Sequence, residues 1–382
     1  MQLFTDGSNS VLEKSAGTSP RHSLIDVAKG MGICLIVIGH NTLFDVYFGL
    51  LSDVLASFRT PFFFFISGVT LSLTRRSWRA AVLLRADAWL KPCLVVIVAL
   101  GLMKIVLGKS SFEGLLTSAI YATGFTYSWP PLWFLPHMWL VYACCFALLI
   151  KCQVYLKARW TQAGCFILMT IAGYFWLQLF SSPREAGVCE AQSALTSQLF
   201  TCGLPLSADL LLVTSSFFML GYFFSNNVKN FRGMPGLGMA ALLALVALEW
   251  IFKLRTDLNH REYNGMLVSP AQALLGIFVM LHVCDALSRW RVAVRVLSYL
   301  GRISLFVLIF HSPVVYLITR NGPRLIDSDA VVGTLAFVVP ILFSALVHYA
   351  CQRHRITRAL MFPYQRPAGS VVVTQGVGAL KG

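Results

Sequence analysis

Charge is scarce in this chain. Only 12% of its 382 residues are charged, where a soluble domain keeps about a quarter charged. That shortage excludes an ordinary water-facing surface and leaves lipid as the solvent for most of the exterior. Acidic residues are rarer than basic ones, 16 against 31. A formal charge of +15 would suggest nucleic acid in a soluble protein. Here the basic residues lie mostly between apolar runs, where they mark topology, so no nucleic-acid partner is expected. The runs lack period-two alternation, which excludes a membrane barrel. That leaves a helix bundle, the other structure that pairs every backbone group inside lipid. There is no CxxC and no Cys/His zinc spacing, so no metal is expected. Most of the 10 Cys lie inside apolar runs, where a free thiol acts as a small hydrophobe. No fixed-period repeat is visible, which argues against a solenoid.

What is present is apolar length, with 57% of residues hydrophobic. Ten runs approach the ~20 residues a helix needs to cross the hydrocarbon core: 24–43, 52–73, 86–107, 132–150, 164–181, 207–225, 235–252, 267–286, 296–318 and 331–350. The stretch 112–125 is apolar but short, suited to the interface or a re-entrant path. The fold class is therefore an all-α polytopic membrane protein of about ten helices. Residues 1–20 lack the apolar core of a signal peptide and read as a disordered tail. Residues 21–360 form the membrane domain, and 361–382 a second tail.

Lys and Arg cluster in alternate loops. Arg75, Arg76, Arg79, Arg85 and Lys91 fill one, Lys151, Lys157 and Arg159 another, and Arg289, Arg291, Arg295 and Arg302 a third. Rich loops face the cytoplasm, which puts both termini there. The loop around Lys253, Arg255 and Arg261 fits worst, with three basic residues on the expected outside. Cys189 and Cys202 fall near an outer loop, where an oxidising environment permits a disulfide; two free thiols are the plainer alternative.

Ionisable residues inside spans are costly and mark function by default. In the first run Asp26 and Lys29 share a face. His40 lies eleven residues beyond Lys29, almost whole turns away and roughly 16 Å along the axis. An interfacial Asp26–Lys29 ion pair with an anchoring His40 is the bland reading; a functional stripe is the other. Arg59, Trp133, His137, Glu249 and His311 fall at the outer depth. Interfacial roles suit His137 and Glu249, and an aromatic belt suits Trp133. Arg59 and His311 have apolar neighbours on both sides and suggest a polar cavity opening outward. Arg75, Arg76, Arg79 and Arg85 are either topology signals or an anion site, since guanidinium suits phosphate.

These residues resemble the membrane-bound acyltransferase family 3. Lys29 and His40, with ten positions between them, resemble the basic residue and His of its first helix. The Asp26-x-x-Lys29-Gly30 context is most like the fucose 4-O-acetylase branch. Phe58-Arg59-Thr60-Pro61-Phe62-Phe63 through Ser67-Gly68 resembles its second helix, Leu132-Trp133-Phe134-Leu135 a central helix, and Gly301-Arg302-Ile303-Ser304 with His311 a late one. Arg59-Thr60 departs from the Met or His-Met usual before the Pro. Arg76 and Arg79 fit an Arg-x-x-Arg motif, whereas the surroundings of Arg85 and Pro92 fit it better but put Ala88 at the second Arg.

The resemblance implies transfer of an acyl group, acetyl in kind, from cytoplasmic acyl-CoA to a hydroxyl of a glycan, lipid-linked sugar or glycoside near the outer face. Acetyl-CoA would be a co-substrate, with no bound cofactor. His40 would take the hydroxyl proton or carry the acyl group itself. Lys29, oriented by Asp26, would place the donor. Arg76, Arg79 and Arg85 would hold its phosphates. Arg59 and His311 would stabilise an oxyanion or bind acceptor hydroxyls, and Trp133 would stack on a sugar. The bacterial inner membrane is the implied location. A transporter or flippase moving lipid-linked sugar without chemistry is the alternative.

Overall fold

The structure, a computed structural model, describes residues 23–73, 77–181, 203–254 and 256–364. The described chain is helical almost throughout. It begins with α1 (Ser23–Ile38), α2 (Thr42–Tyr47) and α3 (Gly49–Val69). A continuous helix α4 (Trp78–Val106) follows, with a π-helical turn at Ala86–Leu90. Then come α5 (Phe112–Tyr121), α6 (Phe134–Cys152), α7 (Arg159–Ser181) and α8 (Leu211–Phe223). Tight turns Pro130–Trp133 and Pro205–Leu210 lead into α6 and α8. Next is α9 (Pro235–Phe252), then a two-stranded antiparallel ribbon of β1 (Thr256–Asp257) and β2 (Glu262–Tyr263). The chain closes with α10 (Val268–Ser288), α11 (Arg291–Asn321), α12 (Asp329–Arg353) and α13 (Arg355–Met361).

Nine of these helices are long and apolar enough to cross a membrane among the described residues. With α1 they make ten. α5 has 10 residues and is too short to span. α1 itself has 16 residues, a rise of about 24 Å against a core of about 30 Å. It stops short because Gly39-His40-Asn41 turns the chain, with the His40 amide bonded back to the Val37 carbonyl at 3.2 Å. His40 therefore stands in a turn beyond the helix end, not on one helical stripe with Asp26 and Lys29.

α1 is the hub, lying along α11 and touching α3 and α10. A Cβ on Gly30 would overlap the Leu297 carbonyl of α11, so only glycine lets the two backbones approach this closely. α3 rests on α8 and α10, and α12 covers α11. The core between them is aromatic, with Phe58, Phe62, Phe64, Phe146, Phe217 and Phe218 fully buried. The spans also display many lipid-facing apolar side chains, such as Leu243, Leu342 and Leu346, as a bundle solvated by bilayer requires.

Candidate active site

Two cavities enter the bundle from opposite ends of α1. The first holds Lys29 and has a volume of about 540 Å³. Its charged lining is Lys29, Arg85 and Arg302; its hydroxyls are Ser67, Thr70, Ser304 and Tyr142. The π turn in α4 sets Arg85 beside Trp89. The guanidinium lies 5.1 Å from the Trp89 ring and 5.3 Å from Tyr142, two faces that favour a cation. Arg302 enters from α11, where a Cβ on its neighbour Gly301 would stand 3.1 Å from that of Lys29.

The second cavity holds His40 and measures about 260 Å³. His40 is exposed to it. The turn carrying His40 is fastened by Asn41, whose amide nitrogen donates to the Gly333 carbonyl at 2.9 Å. The Arg59 guanidinium occupies the space a Cβ on Gly39 would take, so a side chain there would have to displace it. Arg59 is thus packed on the backbone next to His40. The His311 ring lies 5.0 Å from the His40 ring. His311 is fully buried, and its Nδ1 approaches the Val307 and Leu308 carbonyls at 2.8 and 3.0 Å. Carbonyls only accept, so in the neutral ring Nδ1 carries the hydrogen and Nε2 a lone pair. Nε2 has no hydrogen-bond partner. It is suited to accept a proton or hydroxyl hydrogen, more than to donate to an oxyanion.

Trp133 and Phe134 form part of the same wall. Phe134 and Leu308 line both cavities. The two side chains are therefore a shared partition, with Phe134 edge-on to Phe63 at 5.0 Å.

The structure brings together His40, Arg59, Trp133 and His311 on one side, and Lys29 with Arg85 on the other. It does not bring in the rest. Asp26 lines neither cavity and no ion pair joins it to Lys29. Three residues along a helix puts the two on one face, but Lys29 extends into the cavity instead. Arg79 is exposed and lines neither cavity. Arg76, Cys189 and Cys202 lie outside the described residues. Glu249 is buried and accepts from Gln272 at 2.8 Å, away from both cavities. His137 is buried between the Leu206 carbonyl at 3.1 Å and the Thr214 hydroxyl at 3.0 Å, a structural post.

Sequence reasoning missed Thr42, Asp45 and Thr60 on the His40 wall, and Asp257, Asn259 and His260 facing them. The first three were within reach, being polar residues directly beside His40 and Arg59. The ribbon residues carried no signal except a misplaced positive charge. No three His, Cys, Asp or Glu side chains gather as a metal site among the described residues.

The family model described as an acyltransferase domain, Acyl_transf_3, matches residues 23–349. The chain belongs to this acyltransferase family. The match runs from the start of α1 into α12 and so contains both cavities. It makes the protein a multi-pass membrane acyltransferase. No curated protein and no solved structure matches the chain.

Proposed function

We propose that this acyltransferase carries an acetyl group from cytoplasmic acetyl-CoA to a hydroxyl of a glycan, lipid-linked sugar or glycoside at the outer face of a bacterial inner membrane. The observation that carries this reading is the pair of opposed cavities sharing Phe134 and Leu308 as their partition. One is cationic, as a phosphate-bearing donor needs; the other holds the imidazoles a hydroxyl needs. Basic loops on the Lys29 side support a cytoplasmic position for that cavity in this reading.

In this reading Lys29, Arg85 and Arg302 bind the CoA phosphates and direct the thioester inward. The acceptor hydroxyl sits at His40, which takes its proton as the oxygen attacks the thioester carbon. A C–O bond forms, the C–S bond breaks, and the proton leaves with the CoA thiol. Arg59, packed at Gly39, faces the charge that develops on the carbonyl oxygen. His311, buried behind His40 with its ring 5.0 Å away, accepts a hydrogen from His40. A small acyl group suits a partition only side chains thick.

The test uses protein in nanodiscs, labelled acetyl-CoA and a panel of exported glycans and methyl glycosides. Acetyl-ester formation, read by mass spectrometry and lost in His40→Ala at normal protein level, is expected. Sugar movement across proteoliposomes without ester formation would turn the reading to transport.

A further inference from the structure

The wall opposite His40 is a rigid hairpin fixed by an ion pair that never touches the reaction. Asp257 starts it, its carboxylate accepting from the backbone amides of Asn259 at 3.0 Å and His260 at 3.2 Å, a side-chain turn of the kind Asp favours. Arg261 closes it with φ +60°, a left-handed conformation that an arginine holds only when its surroundings over-determine it. They do. Arg261 is 1% exposed, and its Nε meets Asp209 at 2.9 Å with both side chains fully buried. Its Nη1 donates to the Asn259 carbonyl at 2.8 Å. Its guanidinium lies 5.2 Å from the Phe125 ring, which meets His260 edge-on at 5.8 Å.

Asp209 is fixed in turn. It accepts from the Leu204 amide at 2.9 Å, across a turn in which Leu206 and Ser207 are both left-handed. Gly203 has φ +112°, and a Cβ there would meet the Arg261 guanidinium. Tyr121 donates to the Gly203 carbonyl at 2.7 Å; burial, then the Asp209 charge, push its phenol up to about 12, so it stays a neutral donor.

Such a buried pair is a poor device for stability, since apolar side chains of the same volume do as well. What it fixes is position. The residues it aims are Asn259 and His260, and both line the His40 cavity and a second opening above it. The Asn259 amide oxygen is buried with no hydrogen-bond partner, a state that needs an explanation in a folded protein. That oxygen packs over Gly124, where only a residue without a Cβ leaves it room, and Gly124 lines the second opening beside Asn259. Asp45, Asp257, Thr42 and Trp133 complete the wall. Close-set acceptors and donors beside an indole face are the chemistry that reads a polyhydroxylated ring.

We propose that the hairpin 256–263 is the acceptor-reading wall, with Asn259 and His260 contacting hydroxyls of a glycoside, and that Arg261, held by Asp209, is its positioning residue. The proposal rests on the transfer reading for the identity of the acceptor side, but the hairpin can be tested apart from it. It also accounts for Arg261, one of the three basic residues of its loop, because that charge is spent inside the protein.

Binding of methyl glucoside, methyl galactoside and methyl fucoside to nanodisc protein is measured by saturation-transfer NMR, alongside acetyl transfer to each. Asn259→Ala and His260→Ala should each weaken glycoside binding about three- to tenfold, as loss of one hydrogen bond does, with acetyl-CoA affinity unchanged. Arg261→Met should raise the acceptor KM at least as much, with Arg261→Lys intermediate, though neither touches substrate. If Arg261→Met fails to fold, the Asn259 and His260 variants still decide. Transfer by the native protein with acceptor KM moved less than twofold in all variants overturns the hairpin proposal and leaves transfer standing. Binding sensitive to Asn259 without any ester formation overturns transfer and leaves the hairpin. No binding of any methyl glycoside to the native protein overturns the hairpin as a glycoside reader.

Discussion

The two cavities are built on different plans. The Lys29 cavity is walled by the interiors of helices, with contributions from α1, α3, α4, α6, α8 and α11. The His40 cavity shares helical walls from α1, α2, α3, α6 and α11 but is completed by turns: the break after α1, the Pro130–Trp133 turn and the 256–263 hairpin. Helix interiors are fixed by neighbours on every side, whereas turns change with little cost to the rest of a bundle. The difference suits the proposed reaction, in which the donor is one common molecule and the acceptor is particular to the protein.

The comparison predicts that substitutions separate cleanly by side. The largest effect is expected from His40→Ala, which should lower transfer by about 10²–10⁴-fold, the usual contribution of a general base. Equilibrium binding of acetyl-CoA should stay the same; a parallel loss of donor affinity would break the division. Gly39→Ala comes next. Its new methyl displaces the Arg59 guanidinium, and kcat should fall about a hundredfold, as when one oxyanion donor is removed. A change confined to KM would place Arg59 on substrate binding instead.

On the other side, Lys29→Met and Arg85→Gln should each raise the acetyl-CoA KM about 10- to 100-fold, the range for a charge-assisted bond. The acceptor KM, measured at saturating donor, should not move. Phe134→Ala opens the partition. It should raise acetyl-CoA hydrolysis without acceptor several-fold and admit longer acyl-CoAs, read from a chain-length series with CoA release as the signal. Unchanged hydrolysis and chain preference would show that Phe134 does not separate the reactants. The smallest effect belongs to Arg79→Ala. That side chain is exposed outside both cavities, so donor KM should change less than twofold, and a larger rise would extend the donor site along α4.

Legibility in the sequence followed the same division. Spans were readable because each needs some twenty apolar residues, and hydropathy registers that directly. Lys29, Arg59 and His311 were readable because a polar group among apolar neighbours is conspicuous. The end of α1 was not, because the apolar run continues through Gly39 into the turn, and hydropathy cannot distinguish a helix from the turn that ends it. Asn259 and His260 were opaque for a different reason. They are ordinary loop residues by composition, and only the Arg261–Asp209 pair, 52 positions apart in sequence, brings them over His40. Asp26 acts on Lys29 through its charge without a salt bridge, since sharing a helical face does not fix which way a long lysine reaches.

The partition of Phe134 and Leu308 has an electrical consequence. Many membranes store energy as a proton gradient, and a water-filled path would short-circuit it. A protein that moved CoA or sugar bodily would have to open a passage of that width. With two apolar side chains closing the middle, only an acyl group of a few atoms needs to slip between them, and no continuous file of water accompanies it. In the proposed reaction the bilayer stays an insulator while chemistry is carried from one face to the other.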